Sequence, residues 1–246
     1  MTPNHFDISD RVVIVTGSNR GIGYAIANGL KEQNAQVIRI GRTFDSSLGT
    51  DDRTLDLHNH SEIRATIEKI ATEYGRIDAL VNNAGISVSS DSPYSDIESF
   101  DMTLSINLTA AFLLCGAVCP IMASQSRGSI INITSIGAEL GFPNNPAYQV
   151  SKSGLRQLTK AIARDWGSLG VRANNLCPGY IRTGMTENSY SDETLHAQRL
   201  ERTLLKSWGE PTDLVGPAIF LISDAANYMT GSDLYVDAGW TANGGL

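Results

Sequence analysis

The sequence predicts an α/β fold, with helices covering both faces of a doubly wound parallel sheet. Short apolar segments alternate with longer amphipathic ones along the 246 residues. Several of the short segments are apolar on both faces, which is typical of strands in a parallel sheet that is covered on both sides. A strand–helix alternation of this kind implies right-handed crossovers. No internal repeat or linker interrupts it, so we predict a single domain over residues 1–246.

The apolar segments predict six strands, at residues 11–17, 35–41, 78–85, 129–135, 171–179 and 233–239. The amphipathic segments between them predict five helices, at residues 21–33, 61–74, 101–125, 148–167 and 212–223. A long polar insertion, residues 184–208, follows the carboxyl end of a strand. Ligands of open α/β sheets bind outside the carboxyl ends of the strands, so this insertion is predicted to form a lid over a site.

Charge and hydropathy narrow the range of partners. The formal net charge is -7 and no basic block offsets it, which argues against nucleic acid and anionic lipid as partners. The first ten residues are too polar for a signal peptide. No apolar run approaches the roughly 20 residues that a membrane span needs. The sequence therefore predicts a soluble cytoplasmic protein with no membrane or nucleic-acid partner.

The cysteines and histidines do not form a recognisable metal site. Cys115, Cys119 and Cys177 form no CxxC pair, and their odd number is typical of reduced thiols in the cytosol. His58 and His60 have the spacing of two metal ligands, but no third ligand is near them in the sequence. We therefore predict no bound metal.

A glycine-rich segment, "TGSNRGIG" at residues 16–23, follows the first strand and opens the first helix. Gly17, Gly21 and Gly23 permit a tight turn and a close backbone approach, so a pyrophosphate can lie at the helix N-terminus. Their spacing is G-x3-G-x-G, which differs from the common G-x-G-x-x-G. Alone, the segment is also compatible with a plain connection. If it binds a dinucleotide, the contacts include the intervening residues Ser18, Asn19, Arg20 and Ile22.

Together with "NNAG" (82–85) and a Y-x3-K pair (148–152), this spacing resembles the short-chain dehydrogenase/reductase family over essentially the whole chain. The resemblance implies a Rossmann-type domain that binds a nicotinamide dinucleotide. It also implies a homotetramer, in which the helices at 101–125 and 148–167 pair across one interface and the C-terminal strand forms another.

The end of the second strand predicts the type of cofactor. An acidic residue there would hydrogen-bond the ribose hydroxyls of NAD, but this chain has Gly41 followed by Arg42. With Arg20 in the glycine turn, two guanidinium groups favour a phosphate, so we predict NADP(H) in preference to NAD. The resemblance implies further cofactor contacts from Asp56, Leu57, Asn83, Ala84, Gly85, Tyr148, Lys152, Pro178, Gly179, Ile181 and Thr183.

The Y-x3-K pair predicts the chemistry. Reduction of a carbonyl needs a proton at the oxygen, and a free tyrosine with a pKa of about 10 is a poor acid or base near neutrality. Lys152 lies one helical turn from Tyr148, so its ammonium, together with the oxidised nicotinamide, is expected to lower the tyrosine pKa. Ser135, at a strand's carboxyl end, is predicted to donate a hydrogen bond to the substrate oxygen. The resemblance implies that Asn107 holds a water that links Lys152 to solvent.

These residues predict an oxidoreductase that interconverts a secondary alcohol and a ketone. Residues 206–242 resemble the corresponding region of gluconate 5-dehydrogenases and related sugar-acid dehydrogenases, and parts of the pattern are shared with acyl-thioester reductases. Polar side chains near the predicted pocket suit a sugar acid or polyol, whose hydroxyls must be paired on burial: Asn144, Asn145, Tyr180, Asn188, Tyr190, His196 and Arg199. The alternatives are a 3-oxoacyl-[acyl-carrier-protein] reductase and a non-catalytic dinucleotide-binding protein.

Overall fold

The computed structural model describes residues 4–44, 51–88, 90 and 92–244, and within these residues seven parallel strands form one sheet. The order across the sheet is β3-β2-β1-β4-β5-β6-β7. In chain order the strands are β1 (Val12–Thr16), β2 (Gln36–Gly41), β3 (Asp52–Thr54), β4 (Ala79–Asn82), β5 (Gly128–Ile133), β6 (Val171–Pro178) and β7 (Asp233–Val236). The direction of winding reverses at β1, so the predicted doubly wound parallel sheet is confirmed.

Apolar side chains on both faces of the central strands explain why the sheet is covered on both sides. β1 is buried along its whole length and pairs with β2 on one side and β4 on the other. Ile14 packs into one apolar cluster and Val13 into a second cluster on the opposite face. Each cluster is closed by helices, because a strand buried on both faces needs an apolar partner on each.

The helices follow the predicted alternation with some differences. They are α1 (Gly21–Glu32), α2 (Ile63–Tyr74), α3 (Ile97–Leu104), α4 (Ala110–Ser124), α5 (Pro146–Trp166), α6 (Glu187–Ser191), α7 (Glu193–Arg202) and α8 (Val215–Ile222). A π-helical turn, Ser105–Thr109, joins α3 to α4 where a single helix was predicted. The insertion at 184–208 contains α6 and α7. The short edge strand β3 was not predicted, because three polar, partly exposed residues carry no hydrophobic period.

The expectation that no apolar run approaches the length of a membrane span is wrong. The continuous helical segment from Ile97 to Ser124 is 28 residues long and meets the length and composition of a membrane span. Half of its most apolar stretch is buried inside the protein. Leu114, Val118 and Met122 contribute to the same apolar cluster as Ile67 of α2, so the segment serves here as a helix of the core.

Candidate active site

The glycine turn has the conformation that its sequence predicts. Gly17 and Gly21 have φ values of 63° and 58°, in the left-handed region that favours glycine. A Cβ on Gly23 would lie 2.3 Å from Asn83 Nδ2, so the third glycine is required by close approach. Asn83 Nδ2 donates to Thr16 O at 2.9 Å and to Gly17 O at 3.1 Å. The "NNAG" segment therefore fastens the turn to the end of β4.

The other residues of the glycine turn and of "NNAG" are of two kinds. Some are buried and hold the backbone of the turn, and others are exposed on its surface. The Thr16 hydroxyl accepts hydrogen bonds from the backbone N–H groups of Asn83 and Ala84, at 3.0 and 3.1 Å. The buried Ser18 hydroxyl donates to Val15 O at 3.0 Å. Ile22 is half-buried, and the predicted cofactor contacts Asn19 and Arg20 are exposed on the turn. The exposed pair is free to meet a ligand, whereas the buried groups hold the loop shape.

The ends of the first three strands form a continuous rim beside the turn. Gly17 N donates to Ile40 O at 2.8 Å, and Leu55 N donates to Gly41 O at 2.9 Å. This places Arg42, which is exposed, on the same rim as Arg20. After β3, Asp56 is exposed and accepts from His58 N at 3.0 Å, while Leu57 is buried. The residues predicted to surround the adenosine therefore lie at one edge of the sheet.

The segment after β6 closes the other side of the turn. A Cβ on Gly21 would lie 3.6 Å from Thr183 Cγ2, so the glycine turn and residue 183 face each other. Gly179, directly after Pro178, would meet Asp237 Cα at 2.7 Å if it carried a Cβ. Ile181 is buried and forms a parallel bridge with residue 209. The predicted nicotinamide-side residues are thus next to the predicted pyrophosphate-side turn.

Tyr148, Lys152 and Ser135 are brought together at the start of α5. The helix begins after Asn145, whose Oδ1 accepts from Tyr148 N at 3.4 Å. The Ser135 side chain, which follows β5, is near enough to the Tyr148 hydroxyl to act against the rise of its pKa. Lys152 Nζ lies 5.7 Å from the centre of the Tyr148 ring and donates to Ile133 O at 2.8 Å. The arrangement places a hydroxyl donor, an acid/base and an ammonium at one point of the sheet edge.

Burial dominates the acid–base properties of this group. It raises the pKa of Tyr148, and the neighbouring Tyr180 acts in the same direction, although the hydrogen bond with Ser135 opposes both. Burial also lowers the pKa of Lys152 to about 8. The lowering of the tyrosine pKa by Lys152 together with the oxidised nicotinamide stays a prediction. In the protein without cofactor, the Tyr148 pKa is raised instead. The reason is that the phenolate is desolvated while the ammonium binds the carbonyl oxygen of Ile133.

Asn107 lies inside the π-helical turn, a feature that is frequent at functional sites. Its Nδ2 donates to Ile86 O at 2.9 Å and to Ser151 Oγ at 3.0 Å, and its Oδ1 accepts from Ile86 N at 2.8 Å. A Cβ on Gly85 would lie 3.3 Å from Asn107 Oδ1 and 3.4 Å from Lys152 Nζ, so a larger residue would crowd both groups. The amide thus positions the loop beside Lys152, and its role in holding a water stays a prediction.

The two histidines considered as metal ligands instead contact the π-helical turn. The His58 Nδ1 atom lies 3.0 Å from Ser105 Oγ, and the His60 Nε2 atom lies 3.2 Å from Ser105 O. Within the described parts of the chain, no three His, Cys, Asp or Glu side chains are grouped to hold a metal. These histidines anchor the residue at which the turn begins.

The predicted lid, residues 184–208, packs around Trp208. Its ring centre lies 5.4 Å from that of Tyr180, 5.2 Å from that of Tyr190 and 5.7 Å from that of His196, which stacks on it. The Arg199 guanidinium lies 4.9 Å from the centre of the Tyr180 ring. Three of the predicted polar residues therefore pack on this tryptophan and a fourth, Arg199, packs on Tyr180. We call this group the lid cluster: Tyr180, Tyr190, His196, Arg199 and Trp208.

The remaining predicted pocket residues are placed differently. Asn144 and Asn188 are exposed, and Asn145 caps α5 while its Nδ2 donates to Ser87 Oγ at 2.7 Å. Sequence reasoning missed Ser87 and also Phe142, whose ring centre lies 6.4 Å from that of Tyr180. The sequence could have indicated Phe142, because it is an aromatic residue between Ser135 and Tyr148. Nothing in the sequence distinguishes Ser87.

Comparisons with known proteins agree with this geometry. A family model described as enoyl-(acyl carrier protein) reductase matches residues 17–241. The chain is 34% identical to the gluconate 5-dehydrogenase of Gluconobacter oxydans, with 98% of each chain covered. It is 32% identical to the 2-dehydro-3-deoxy-D-gluconate 5-dehydrogenase of Escherichia coli, over 96% of this chain and 98% of that one.

The chain belongs to the short-chain dehydrogenase/reductase family. The structure of a gluconate 5-dehydrogenase from Burkholderia cenocepacia, in complex with NADP and tartrate, superposes with a TM-score of 0.92. That protein is 33% identical, and the match covers 97% of this chain and 98% of the other. The predicted family and Rossmann-type fold are confirmed. As a member of this family, the protein is an NAD(P)-dependent dehydrogenase/reductase that acts on CH–OH groups, which sets aside the non-catalytic alternative.

Proposed function

We propose that this short-chain dehydrogenase/reductase uses NADP(H) to interconvert a secondary alcohol and a ketone on a sugar acid. The observation that carries the proposal is the position of Lys152, whose Nζ lies 5.7 Å from the centre of the Tyr148 ring, with Ser135 beside the Tyr148 hydroxyl. When bound, the nicotinamide supplies or accepts the hydride. In reduction, Tyr148 gives its proton to the carbonyl oxygen while the Ser135 hydroxyl donates a hydrogen bond to the same oxygen.

Lys152 and Asn107 support this proton transfer. Lys152, with its pKa lowered to about 8, is close enough to neutrality to pass a proton to the tyrosine after each reduction. Asn107 keeps the loop that contains Ile86 at a fixed place beside the ammonium. The glycine turn, "NNAG" and residues 178–183 would hold the dinucleotide along the sheet edge, with its nicotinamide end toward Tyr148.

The exposed arginines support NADP(H). Arg20 and Arg42 flank a rim with no acidic side chain at the position of Gly41. Neither forms an ion pair within the described residues, so both guanidinium groups are available for a phosphate. The similar enzyme from Burkholderia cenocepacia contains NADP. Arg42→Asp should therefore lower the NADPH preference.

The names of the relatives support a sugar-acid substrate, as does the lid cluster with its several donors. The test compares kcat/KM for 5-keto-D-gluconate and for an acetoacetyl thioester, each with NADPH and NADH. We expect the keto-sugar acid and NADPH to be preferred. Arg42→Asp should reduce the NADPH/NADH ratio by about 10-fold or more, since a charge-assisted contact is replaced by a repulsion.

The control for that variant is Arg64→Asp, which changes an exposed arginine on α2 and should leave the cofactor ratio unchanged. A higher kcat/KM for the thioester would replace the sugar-acid proposal with the 3-oxoacyl reductase alternative. Equal use of NADPH and NADH by the unmodified enzyme would remove the role proposed for Arg20 and Arg42.

The proposal includes a cytoplasmic homotetramer. Met102, Phe112 and Val150 are exposed apolar side chains on the segment from α3 to α5, and β7 is an unpaired sheet edge among the described strands. Such surfaces are typical of protein–protein contacts. The three cysteines are free and buried, which is consistent with a reducing compartment. Light scattering on the purified protein tests the assembly, since a monomeric mass would contradict it.

A further inference from the structure

Two hydrogen-bond donors of the lid cluster are buried without a partner. They are the Nε of Arg199 and the Nε1 of Trp208. Within residues 4–44, 51–88, 90 and 92–244, no carboxylate forms an ion pair with Arg199. Buried donors are nearly always paired in native proteins, and a buried N–H without a partner costs its desolvation free energy. Two such donors at one place indicate a site for an acceptor, and the guanidinium indicates that the acceptor is an anion.

Their position relates this site to the reaction. The Arg199 guanidinium lies over the Tyr180 ring, and the Trp208 ring packs edge-on against the same tyrosine. Tyr180 also packs edge-on against Phe142, with ring centres 6.4 Å apart, and Phe142 N donates to Oε1 of Gln149, the residue after Tyr148, at 2.8 Å. The two unpaired donors thus pack on an aromatic residue that is linked through Phe142 to the start of α5, where Tyr148 lies.

We propose that Arg199 and Trp208 bind the carboxylate of the substrate while its carbonyl carbon lies at Tyr148. The proposal rests on the proposed function, because it assigns the acid group of the sugar acid to these two side chains. A guanidinium presents a planar fork that matches a carboxylate, and an indole N–H can only donate. The surrounding rings of Tyr180, Tyr190 and Trp208 exclude water, which strengthens a charge-assisted hydrogen bond.

The other arginines of the lid do not meet these conditions. Arg182 is exposed, forms an ion pair with Glu210 at 3.1 Å, and lies over the Tyr190 ring at 4.2 Å. Arg202 is exposed on the same helix as Arg199, with its guanidinium 5.8 Å from the centre of the Trp240 ring. Arg199 alone in the described part of the lid combines a buried, unpaired guanidinium N–H with contact to Tyr180.

The test compares a charged and an uncharged substrate. For Arg199→Met we expect kcat/KM for 5-keto-D-gluconate to fall about 10- to 100-fold, mainly through KM, since the carboxylate is remote from the reacting carbon. The kcat/KM for an uncharged ketohexose should change less than about threefold, which corresponds to less than ~0.7 kcal/mol. Arg199→Lys should be intermediate. Trp208→Phe keeps a ring and removes the N–H, so its loss should be smaller but also confined to the acid.

The control is Arg202→Met, which removes a positive charge from the same helix and should leave the ratio of the two substrates unchanged. A second measurement does not depend on turnover. Tartrate binding to the NADP-loaded protein, measured by calorimetry, should weaken about 10- to 100-fold in Arg199→Met. Melting curves establish that each variant is folded.

The outcomes separate this inference from the proposed function. Equal losses for the charged and uncharged substrates would assign Arg199 a packing role and overturn the inference. So would the same selective loss in Arg202→Met, or unchanged tartrate binding in Arg199→Met. If the unmodified enzyme is inactive on keto-sugar acids, the proposed function fails. The tartrate measurement then still decides whether these side chains bind a carboxylate.

Discussion

The surroundings of α5, the helix with Tyr148 and Lys152, differ from the lid cluster in how many of their buried polar atoms have a hydrogen-bond partner. In the sheet under α5, a chain of buried hydrogen bonds crosses four strands. Asn82 Nδ2 donates to Asn132 Oδ1 at 2.8 Å, and Asn132 Nδ2 donates to Thr159 Oγ1 at 2.7 Å. Thr159 Oγ1 lies 2.6 Å from Asn175 Oδ1, and Asn175 Nδ2 donates to Asp233 Oδ1 at 2.7 Å. Within this chain of bonds only the Oδ1 of Asn82 is buried without a partner, whereas in the lid cluster two donors on neighbouring side chains have none.

The helices of the two regions also differ in how many of their residues are buried. α5 buries Ser151, Lys152 and Leu155 in its first half, while α7 has no buried residue. A paired and buried network keeps catalytic groups at fixed distances, whereas exposed helices with few apolar contacts belong to the less stable parts of a protein. The comparison teaches that the proposed acid/base residues stand on a framework of largely paired polar groups, whereas the proposed carboxylate site consists of donors that lack a partner within the protein.

The largest expected effect is on the chemistry itself. Tyr148→Phe should lower kcat by about 100- to 10,000-fold, because the ring still packs and only the transferable proton is lost. Affinity for NADPH, measured by fluorescence titration, should stay within about threefold. Tyr74→Phe, which removes a remote hydroxyl that donates to Asp51, is the matched control. Retention of more than a few per cent of kcat in Tyr148→Phe would mean that another group supplies the proton.

The second effect tests the framework under α5. Thr159→Val leaves the amides of Asn132 and Asn175 without their shared partner, so the free energy of unfolding should fall by about 2–4 kcal/mol. Thr72→Val is the control, because its hydroxyl is exposed on α2 and its removal should cost less than about 0.5 kcal/mol. Urea denaturation measures both. Equal costs in the two variants would show that the network does not stabilise the catalytic helix.

The third effect concerns the buried Lys152. Its pKa in the folded protein is lowered to about 8 from an ordinary value of 10.5. Below pH 8 both states are protonated and the folded state bears the full cost of burying the charge. Between pH 8 and 10.5 the unfolded state binds more protons, so stability rises with pH.

Lys152→Met removes the free-energy cost of burying the charged ammonium, together with the hydrogen bond to Ile133 O. At pH 7 it should raise the free energy of unfolding by about 1–3 kcal/mol while abolishing most turnover. The gain should shrink as the pH rises from 8 to 10.5. Denaturation curves at pH 7 and pH 10 check this, and a gain that is independent of pH would show that the lysine is not buried as a charged group.

The smallest effect is expected in the lid. Asp192 caps α7 by accepting from Leu195 N at 2.8 Å, and Asp192→Ala should loosen that helix by about 0.5–2 kcal/mol. Global stability should hardly change, while KM for the keto-sugar acid rises a few-fold. Asp96→Ala removes the equivalent cap of α3, outside the lid, and should leave KM unchanged. A rise in KM for both variants would remove the distinction between the two regions.

Features that depend on neighbours along the chain could be predicted from the sequence. The alternation of strands and helices follows from hydrophobic period, and the glycine turn follows from the positive φ at Gly17 and Gly21. Tyr148 and Lys152 share a helix face because an α-helix places residues four apart on one side. These relations are set by covalent spacing and backbone geometry, so they do not depend on how the rest of the chain packs.

Features that join distant segments were decided only by the tertiary structure. The pairing of Asn107 with Ile86, the meeting of Arg199 and Trp208 at Tyr180, and the raised pKa of Tyr148 all depend on which groups lose contact with water. Desolvation is a property of the packed protein as a whole, and side chains far apart in sequence contribute to it together. For that reason the spacing of Tyr148 and Lys152 was visible in the sequence, whereas their electrostatic surroundings and the unpaired donors of the lid cluster were not.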